Sequence, residues 1–314
     1  MLLRAVRWGL AGVLVAWTLL RLLGLDLGWP VVPLLAFTPW VAALALVGAV
    51  AAALFGRKLF ALLVAACALL LIVALAPRVV PNRAPADAKG VRLRVLAANV
   101  AGEERAAPAV VALARRLRVD VLAVAELTPE VADAYDAAGI AKLLPYRSLN
   151  PQPAFFGSGL YGRLPLREAP APAGTRYGLS AAAASPRGAA PFEVLAIHVP
   201  APTSPGDTAD WRRDLRKLPR TGEGGLRILA GDFNATLDHA ELRRLIGRGY
   251  HDAAEQAGVG LQMTWSTAAS PLPATIAIDH VLADRRIRVA SARTVAIPGS
   301  DHRGVLTELV LPGG

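Results

Sequence analysis

The run Leu226-Arg227-Ile228-Leu229-Ala230, followed by Gly231-Asp232-Phe233-Asn234-Ala235-Thr236, decides how the chain is read. Five mostly apolar residues of this kind form a short buried strand, and a glycine lets the backbone leave it at the carboxyl-terminal rim. Alternation along an extended chain sends side chains two apart to one face, so Asp232 and Asn234 are expected side by side. A carboxylate beside an amide that both donates and accepts can hold a water and a phosphate oxygen together. The plain alternative is an Asx-rich turn that closes a strand.

Outward from this stretch, other strand ends carry similar groups. Val91 to Asn99 reads as a strand ending on Asn99, and Val119 to Ala125 as a strand followed by Glu126. Helices are expected between and after them, over Ala106–Arg118 and from Thr128-Pro129-Glu130 to about Ala138. Phe155 to Leu166 is glycine-broken and strand-like. Leu179–Ser185 and Phe192–Val199 form an expected antiparallel pair that delivers His198. An Arg-rich helix over Thr208–Leu218 precedes the central strand, and a helix over Asp238–Ile246 follows it. Thr264-Trp265, Ile278-Asp279-His280, Ser300-Asp301-His302 and a last strand over Val305–Leu311 complete the series. Singly, each polar residue here is a cap, a turn or a surface charge. Together, Asn99, Glu126, His198, Asp232, Asn234, Asp279, Asp301 and His302 supply oxygen ligands for a hard cation, a carboxylate–water unit and histidines for a phosphate.

The first quarter of the chain is different. Three apolar blocks run over about 8–25, 31–54 and 59–76, each about as long as a helix that crosses the hydrocarbon. Arg4 and Arg7 precede the first block and Arg57 and Lys58 lie between the second and third, so the positive-inside rule places these flanks in the cytoplasm. Three crossings put the remainder outside the cytoplasmic membrane. The expected organisation is a three-helix transmembrane anchor over 1–77, a linker over 78–90 and a catalytic domain over 91–314. Residues 1–85 hold seven Lys/Arg and one acid, Asp26, whereas the rest holds 27 basic and 23 acidic residues. The excess positive charge therefore belongs largely to the membrane flanks and argues little for nucleic acid. The single cysteine, Cys67, excludes an intrachain disulfide and a Cys-based metal site.

The order Asn99, Glu126, His198, Gly231-Asp232-Phe233-Asn234, Thr264-Trp265, Ile278-Asp279-His280 and Ser300-Asp301-His302 resembles the endonuclease/exonuclease/phosphatase superfamily, over about residues 91–312. The apolar amino-terminal part further resembles its membrane-bound bacterial branch, of the VanJ-like teicoplanin-resistance type. The resemblance implies an α/β fold, a four-layer α-β-β-α sandwich with two mixed sheets face to face. It implies Mg²⁺ (or Mn²⁺), with Glu126 as principal ligand helped by Asn99 and Asp301. Asp232 would orient or deprotonate the attacking water, and Asn234 would hold that water or a phosphate oxygen. His302, paired with Asp279, would contact the scissile phosphate, with His198 opposite as phosphate ligand or leaving-group acid. Two positions depart from many nuclease members: Ala101 replaces an acidic residue and Ala125 a glutamine. Arg163, in Tyr161-Gly162-Arg163-Leu164-Pro165, matches a family segment with Gly162 in place of Ser and reads as a structural residue, with a place near the phosphate as the alternative.

These features lead to the expectation of a metal-dependent phosphoesterase anchored in the lipid bilayer and acting on a lipid-linked phosphate or pyrophosphate. An anchored nuclease is the alternative, with Arg212, Arg213, Arg216, Lys217 and Arg220 as a backbone-tracking run. Interleaved Asp210 and Asp214 favour reading that run as a solvated helix face. A domain that binds a head group or partner without chemistry is the third reading.

Overall fold

A computed structural model describes residues 1–85, 88–222, 225–266 and 274–314. The amino-terminal part comprises α1 (Leu2–Leu23), α2 (Val31–Leu35), α3 (Thr38–Leu54) and α4 (Lys58–Leu75). The globular part begins with β1 (Val91–Asn99), α5 (Ala107–Arg116), β2 (Val121–Ala125), α6 (Pro129–Ala137), β3 (Tyr146–Asn150) and β4 (Ser158–Gly162). It continues with β5 (Arg167–Glu168), β6 (Ser180–Ala184), β7 (Phe192–His198), α7 (Pro205–Lys217), β8 (Leu226–Asp232) and α8 (Ala240–Ile246). It closes with β9 (Tyr250–Asp252), α9 (Ala253–Gln256), β10 (Asp279–Asp284), β11 (Arg288–Ala296) and β12 (Arg303–Leu311).

Two mixed six-stranded sheets, β11-β12-β1-β2-β4-β3 and β5-β6-β7-β8-β10-β9, pack face to face. The period-two pattern of the strands explains the layering. Leu93, Val95 and Ala97 of β1 point into the inter-sheet core with Val194, Ile228 and Val281, whereas Leu96 and Ala98 point the other way. There they meet Val110 and Ala114 of α5 and Val131 and Tyr135 of α6. On the opposite flank Leu195, Ile197 and Leu229 pack beneath Trp211 and Leu215 of α7 and Leu242 and Leu245 of α8. The layers are α-β-β-α, as expected. Thr128 and Ser204 cap α6 and α7 by accepting from the amides of Val131 and Asp207, worth about 1 kcal/mol each.

Each sheet contains one parallel pair, β1 with β2 and β7 with β8, joined through α5 and α7 respectively. Parallel partners end on the same side, so Asn99, Glu126, His198 and Asp232 emerge on one rim. The antiparallel strands β10 and β12 start on that rim, which brings Asp279, Asp301 and His302 to it.

The amino-terminal part differs from a simple set of three spans. Among the described residues two helices are long and apolar enough to cross a membrane, Arg4–Leu23 and Lys58–Arg78. The second apolar block is not one helix: it divides into α2 and the 17-residue α3 at Ala36-Phe37. The cause lies in the globular half. Val32 is fully buried among Trp211, Phe233 and Leu242, and Ala36 packs on Ile276 and Ile278. The start of the block finds an apolar partner there, and the chain turns before the helix resumes. In contrast, α3 and α4 present leucines outward, with Leu44 71% and Leu62 66% exposed. Of the linker stretch 78–90, residues 86–87 lie outside the described residues. Arg78 is buried, Asn82 donates its amide to Gln256 and Ala84 to Val289.

Candidate active site

Gly231 is the local device that shapes the rim. Its φ of 145° is closed to other residues, and a Cβ there would lie 2.0 Å from the Ile197 carbonyl oxygen of the neighbouring strand. Asp232 then ends β8, and Asn234 adopts a left-handed φ of 44°. This turn folds Asn234 back: its amide N–H donates to Asp232 Oδ1 at 2.8 Å and its side chain to the Val199 carbonyl at 2.9 Å. The two residues are adjacent because of this Asx geometry rather than by strand alternation, since the strand stops at Asp232.

Asp232 sits between two partners in register, with His198 across the parallel pair and Asp279 across the antiparallel one. Asn99 Nδ2 donates both to Asp232 Oδ2 (3.0 Å) and to Glu126 Oε1 (2.9 Å), tying the two sheets together. The Asn99 side-chain oxygen accepts from the Ala101 amide at 2.9 Å, so it is the nitrogen that faces the carboxylates. Glu126 holds a left-handed φ of 60° directly after β2, a strain worth about 1–3 kcal/mol of the kind concentrated at functional sites. Its Oε1 lies 3.7 Å from His198 Nε2.

On the other side of Asp232, His302 Nδ1 shares a 2.9 Å hydrogen bond with Asp279 Oδ2. Its Nε2 is 3.9 Å from both Asp232 Oδ2 and Asp301 Oδ1. Asp301 Oδ2 in turn accepts from Trp265 Nε1 at 3.0 Å. Thus the structure gathers Asn99, Glu126, His198, Asp232, Asn234, Asp279, Asp301 and His302 around one rim.

The electrostatics divide these groups. Burial would strip His302 of its proton, but the charge and hydrogen bond of Asp279, with Asp232 and Asp301 behind them, raise its pKa to about 10. Burial, reinforced by Asp279, lifts Asp232 to about 7 against the opposing pull of His302. Burial also raises Glu126, partly offset by the Asn99 hydrogen bond. His198 is pushed down to about 3 by burial and the His302 charge, against a backbone hydrogen bond with Phe155. At neutral pH the site therefore holds one imidazolium, His302, and one neutral imidazole, His198. A neutral imidazole offers a hydrogen bond to a phosphate but is a poor proton donor to a leaving group.

The donor set suits a hard divalent cation. Asp279 Oδ1 is buried without a hydrogen-bond partner, and Asp232, Asp279 and His302 bring one potential ligand atom each within 4.8 Å of one another. Four carboxylates face a single imidazolium, an imbalance that a cation relieves. His302 Nδ1 is already engaged by Asp279, which leaves the carboxylate oxygens as the better donors.

Several supporting residues were present in the sequence motifs without a role. Thr264 Oγ1 accepts from the amides of Ile278 and Asp279, and Ser300 Oγ joins the Asn99 carbonyl to the His302 amide. His280 faces away from the rim, with Nδ1 on Asp252 and Nε2 on the Ala235 carbonyl. Arg163 binds the Val119 carbonyl and Asp120, a structural position. One feature not visible in the sequence is an aromatic wall: Phe155, Phe156 and Tyr177 pack edge-to-face or tilted against one another, and the Tyr177 ring lies 4.8 Å from the His198 ring.

The sequence profile described as "Endonuclease/Exonuclease/phosphatase family" matches residues 96–302, about two thirds of the chain and every one of these rim residues. The chain belongs to that family. Its members are metal-dependent phosphoesterases and nucleases, and the buried Asp/Asp/His group is consistent with a divalent metal. Solved structures share the fold. An endonuclease/exonuclease/phosphatase from Beutenbergia cavernae is 19% identical, with a TM-score of 0.52 over 71% of this chain and 72% of that one. Truncated Caenorhabditis elegans TDP2 is 15% identical, with a TM-score of 0.57 over 71% of this chain and 100% of that one. D. rerio TDP2 complexed with single strand DNA product is 16% identical, with a TM-score of 0.53 over 69% of this chain and 98% of that one. No curated protein matches the sequence.

Proposed function

We propose that this family member is a membrane-anchored, divalent-metal-dependent phosphoesterase that acts outside the cytoplasmic membrane on a lipid-linked phosphate or pyrophosphate. The observation that carries the reading is the contact of Ala36 with Ile278. Ala36 joins two apolar stretches, and Ile278 directly precedes Asp279, so the apolar helices and the acidic rim share a wall. The helix ends support the same arrangement. The Arg21 end of α1, Trp40 at the start of α3 and the Arg78 end after α4 all bond to the globular half. Arg4, Arg7, Arg57 and Lys58 lie at the opposite helix ends, where the positive-inside rule expects the cytoplasm.

In this reading Glu126, Asp301 and the unpartnered Oδ1 of Asp279 would hold the cation, with Asn99 fixing the orientation of Glu126 and Asp232. When bound, the metal neutralises phosphate oxygens as a Lewis acid. Asp232, with Asn234 beside it, orients a water and takes its proton. The His302 imidazolium, held by Asp279, places positive charge where charge develops on the phosphate. His198 donates a hydrogen bond from the opposite side.

The nuclease reading draws on the likeness to TDP2, which extends to the fold alone. Against it, the basic run on α7 is engaged locally: Arg216 pairs with Glu241 at 2.6 Å, and Arg213 with Asp210 and Asp214. Phosphate release from polyprenyl pyrophosphate, measured beside a DNA digest with Mg²⁺ or EDTA, separates the readings. Mg²⁺-dependent release that disappears in Glu126→Ala supports the lipid substrate. DNA cleavage alone transfers the function to an anchored nuclease, and no turnover of either supports a binding domain.

A further inference from the structure

We infer that the amino-terminal segment is a working part of the active site: residues 21–36 and Arg78 position the loop that carries Asn234. The loop Phe233–His239 follows Asp232 directly and carries, next to its last residue, Asp238, a carboxylate 1% exposed. Both of its oxygens are held by arginines from outside the globular half. Arg21 of α1 donates Nε at 2.5 Å, and Arg78 after α4 donates Nη1 and Nη2 at 2.8 and 2.6 Å. All three side chains are buried, where a lone charge is costly, so each partner depends on the others.

Two further contacts hold the start of α8 and the loop that leads into it. Asp26, between α1 and α2, accepts the amides of Ala240 and Glu241 at 3.0 and 2.9 Å. His239 Nδ1 accepts the Thr236 amide, so the ring's proton is on Nε2, which donates to the Val32 carbonyl at 2.7 Å. Opposite, Ala36 supports Ile278, whose carbonyl receives the Phe233 amide at 3.0 Å. The loop after Asp232 and the arm before Asp279 are therefore both braced by the amino-terminal segment. A flexible tether would need none of these bonds.

Displacing a catalytic loop by about 1 Å costs up to about a hundredfold in rate, even from a distant change. Arg21, Arg78 and Asp238 are thus positioning residues, and Arg78→Gln should free the loop without emptying the rim. Two readouts do not depend on which substrate is correct. In the full-length protein in detergent, hydrogen exchange at residues 233–239 should quicken at least about tenfold in Arg78→Gln while β1 and β12 stay protected. Separately, a protease site inserted at 86–87 and cut in the full-length protein should leave the two halves co-eluting. On whichever ester the wild type turns over, kcat should fall about ten- to hundredfold with KM within about twofold, and Arg78→Lys should recover part of it. The inference is overturned by unchanged exchange at 233–239, by exchange that rises equally across β1 and β12, by halves that separate, or by an unchanged kcat. Loss of the lipid-phosphate reading alone leaves the exchange and co-elution results standing.

Discussion

His302 is aimed by Asp279: the 2.9 Å bond from Nδ1 to Asp279 Oδ2 turns the opposite nitrogen toward Asp232, 3.9 Å away. The same contact helps keep the ring charged, because Asp279, together with Asp232 and Asp301, outweighs the burial that would otherwise remove its proton. Asp279→Asn preserves the shape and removes the charge. The His302 pKa, followed by NMR, should then fall from about 10. Phosphate release should fall about 10²–10⁴-fold with it, the usual scale for a lost acid–base or electrostatic partner. An unshifted His302 titration would refute this pairing.

The linked titrations give stability a definite pH dependence in the absence of metal. His302 is raised from 6.5 to about 10 on folding, so its contribution is fully present below pH 6.5 and is lost as pH rises through about 10. Asp232 is raised from 3.8 to about 7, so the folded state also loses stability across that window as its buried carboxyl ionises. His198, lowered from 6.5 to about 3 on folding, acts in the opposite sense and offsets Asp232 below about pH 6.5. With EDTA, Tm should therefore decline from about pH 6.5 to about pH 10, less steeply in His302→Gln. A cation takes the place of the protons, so Mg²⁺ should raise Tm more at about pH 8 than at about pH 5. Equal gains at both values would count against a carboxylate-held metal.

The limits of legibility follow from which forces act locally. The strand Val91–Asn99 is visible in the sequence to the residue because alternation and a polar terminus coincide in it. The rim could be assembled because its residues lie at strand ends, and strand ends are marked by polar residues after apolar runs. Asn234 was grouped correctly with Asp232 for a different reason, the left-handed turn that Gly231 makes possible. The edge strands β3 and β11 escaped notice because solvent-exposed Arg147 in one and Arg288, Ser291 and Arg293 in the other interrupt the apolar pattern. Helix α7 begins three residues before the expected Thr208, since Ser204-Pro-Gly-Asp207 reads as a turn while Ser204 and Asp207 form its cap. The break at Ala36 was invisible for a tertiary reason: residues 31–36 are as apolar as a span, and only the groove beneath α7 and α8 explains where they go.

Gly231 tests the turn itself. Gly231→Ala combines a disfavoured φ of 145° with a Cβ 2.0 Å from the Ile197 oxygen, and neither backbone can yield without breaking the β7–β8 pairing. The expected cost is roughly 2–5 kcal/mol. For a domain of this size that lowers Tm by about 5–15 °C, readable by calorimetry. An unchanged Tm would mean that the β8 rim is not built as described.

If the substrate is lipid-linked, as proposed, the aromatic wall is where its non-reacting part would be held. Phe155 is 45% exposed, its ring centroid 4.6 Å from Phe156 and 5.7 Å from Tyr177, so it offers a free apolar face beside His198. An isoprenyl chain laid against it would bury about half of a phenyl side chain, worth about 1 kcal/mol. Phe155→Ala should therefore raise KM for polyprenyl pyrophosphate about fivefold and leave kcat nearly unchanged, since the ring makes no contact that strengthens at the transition state. An ester without the chain, such as p-nitrophenyl phosphate, should show no change in KM. Equal effects on both substrates would place the wall's influence on His198 rather than on the lipid, and would point to Tyr177, at 4.8 Å from that ring, as the residue through which it acts.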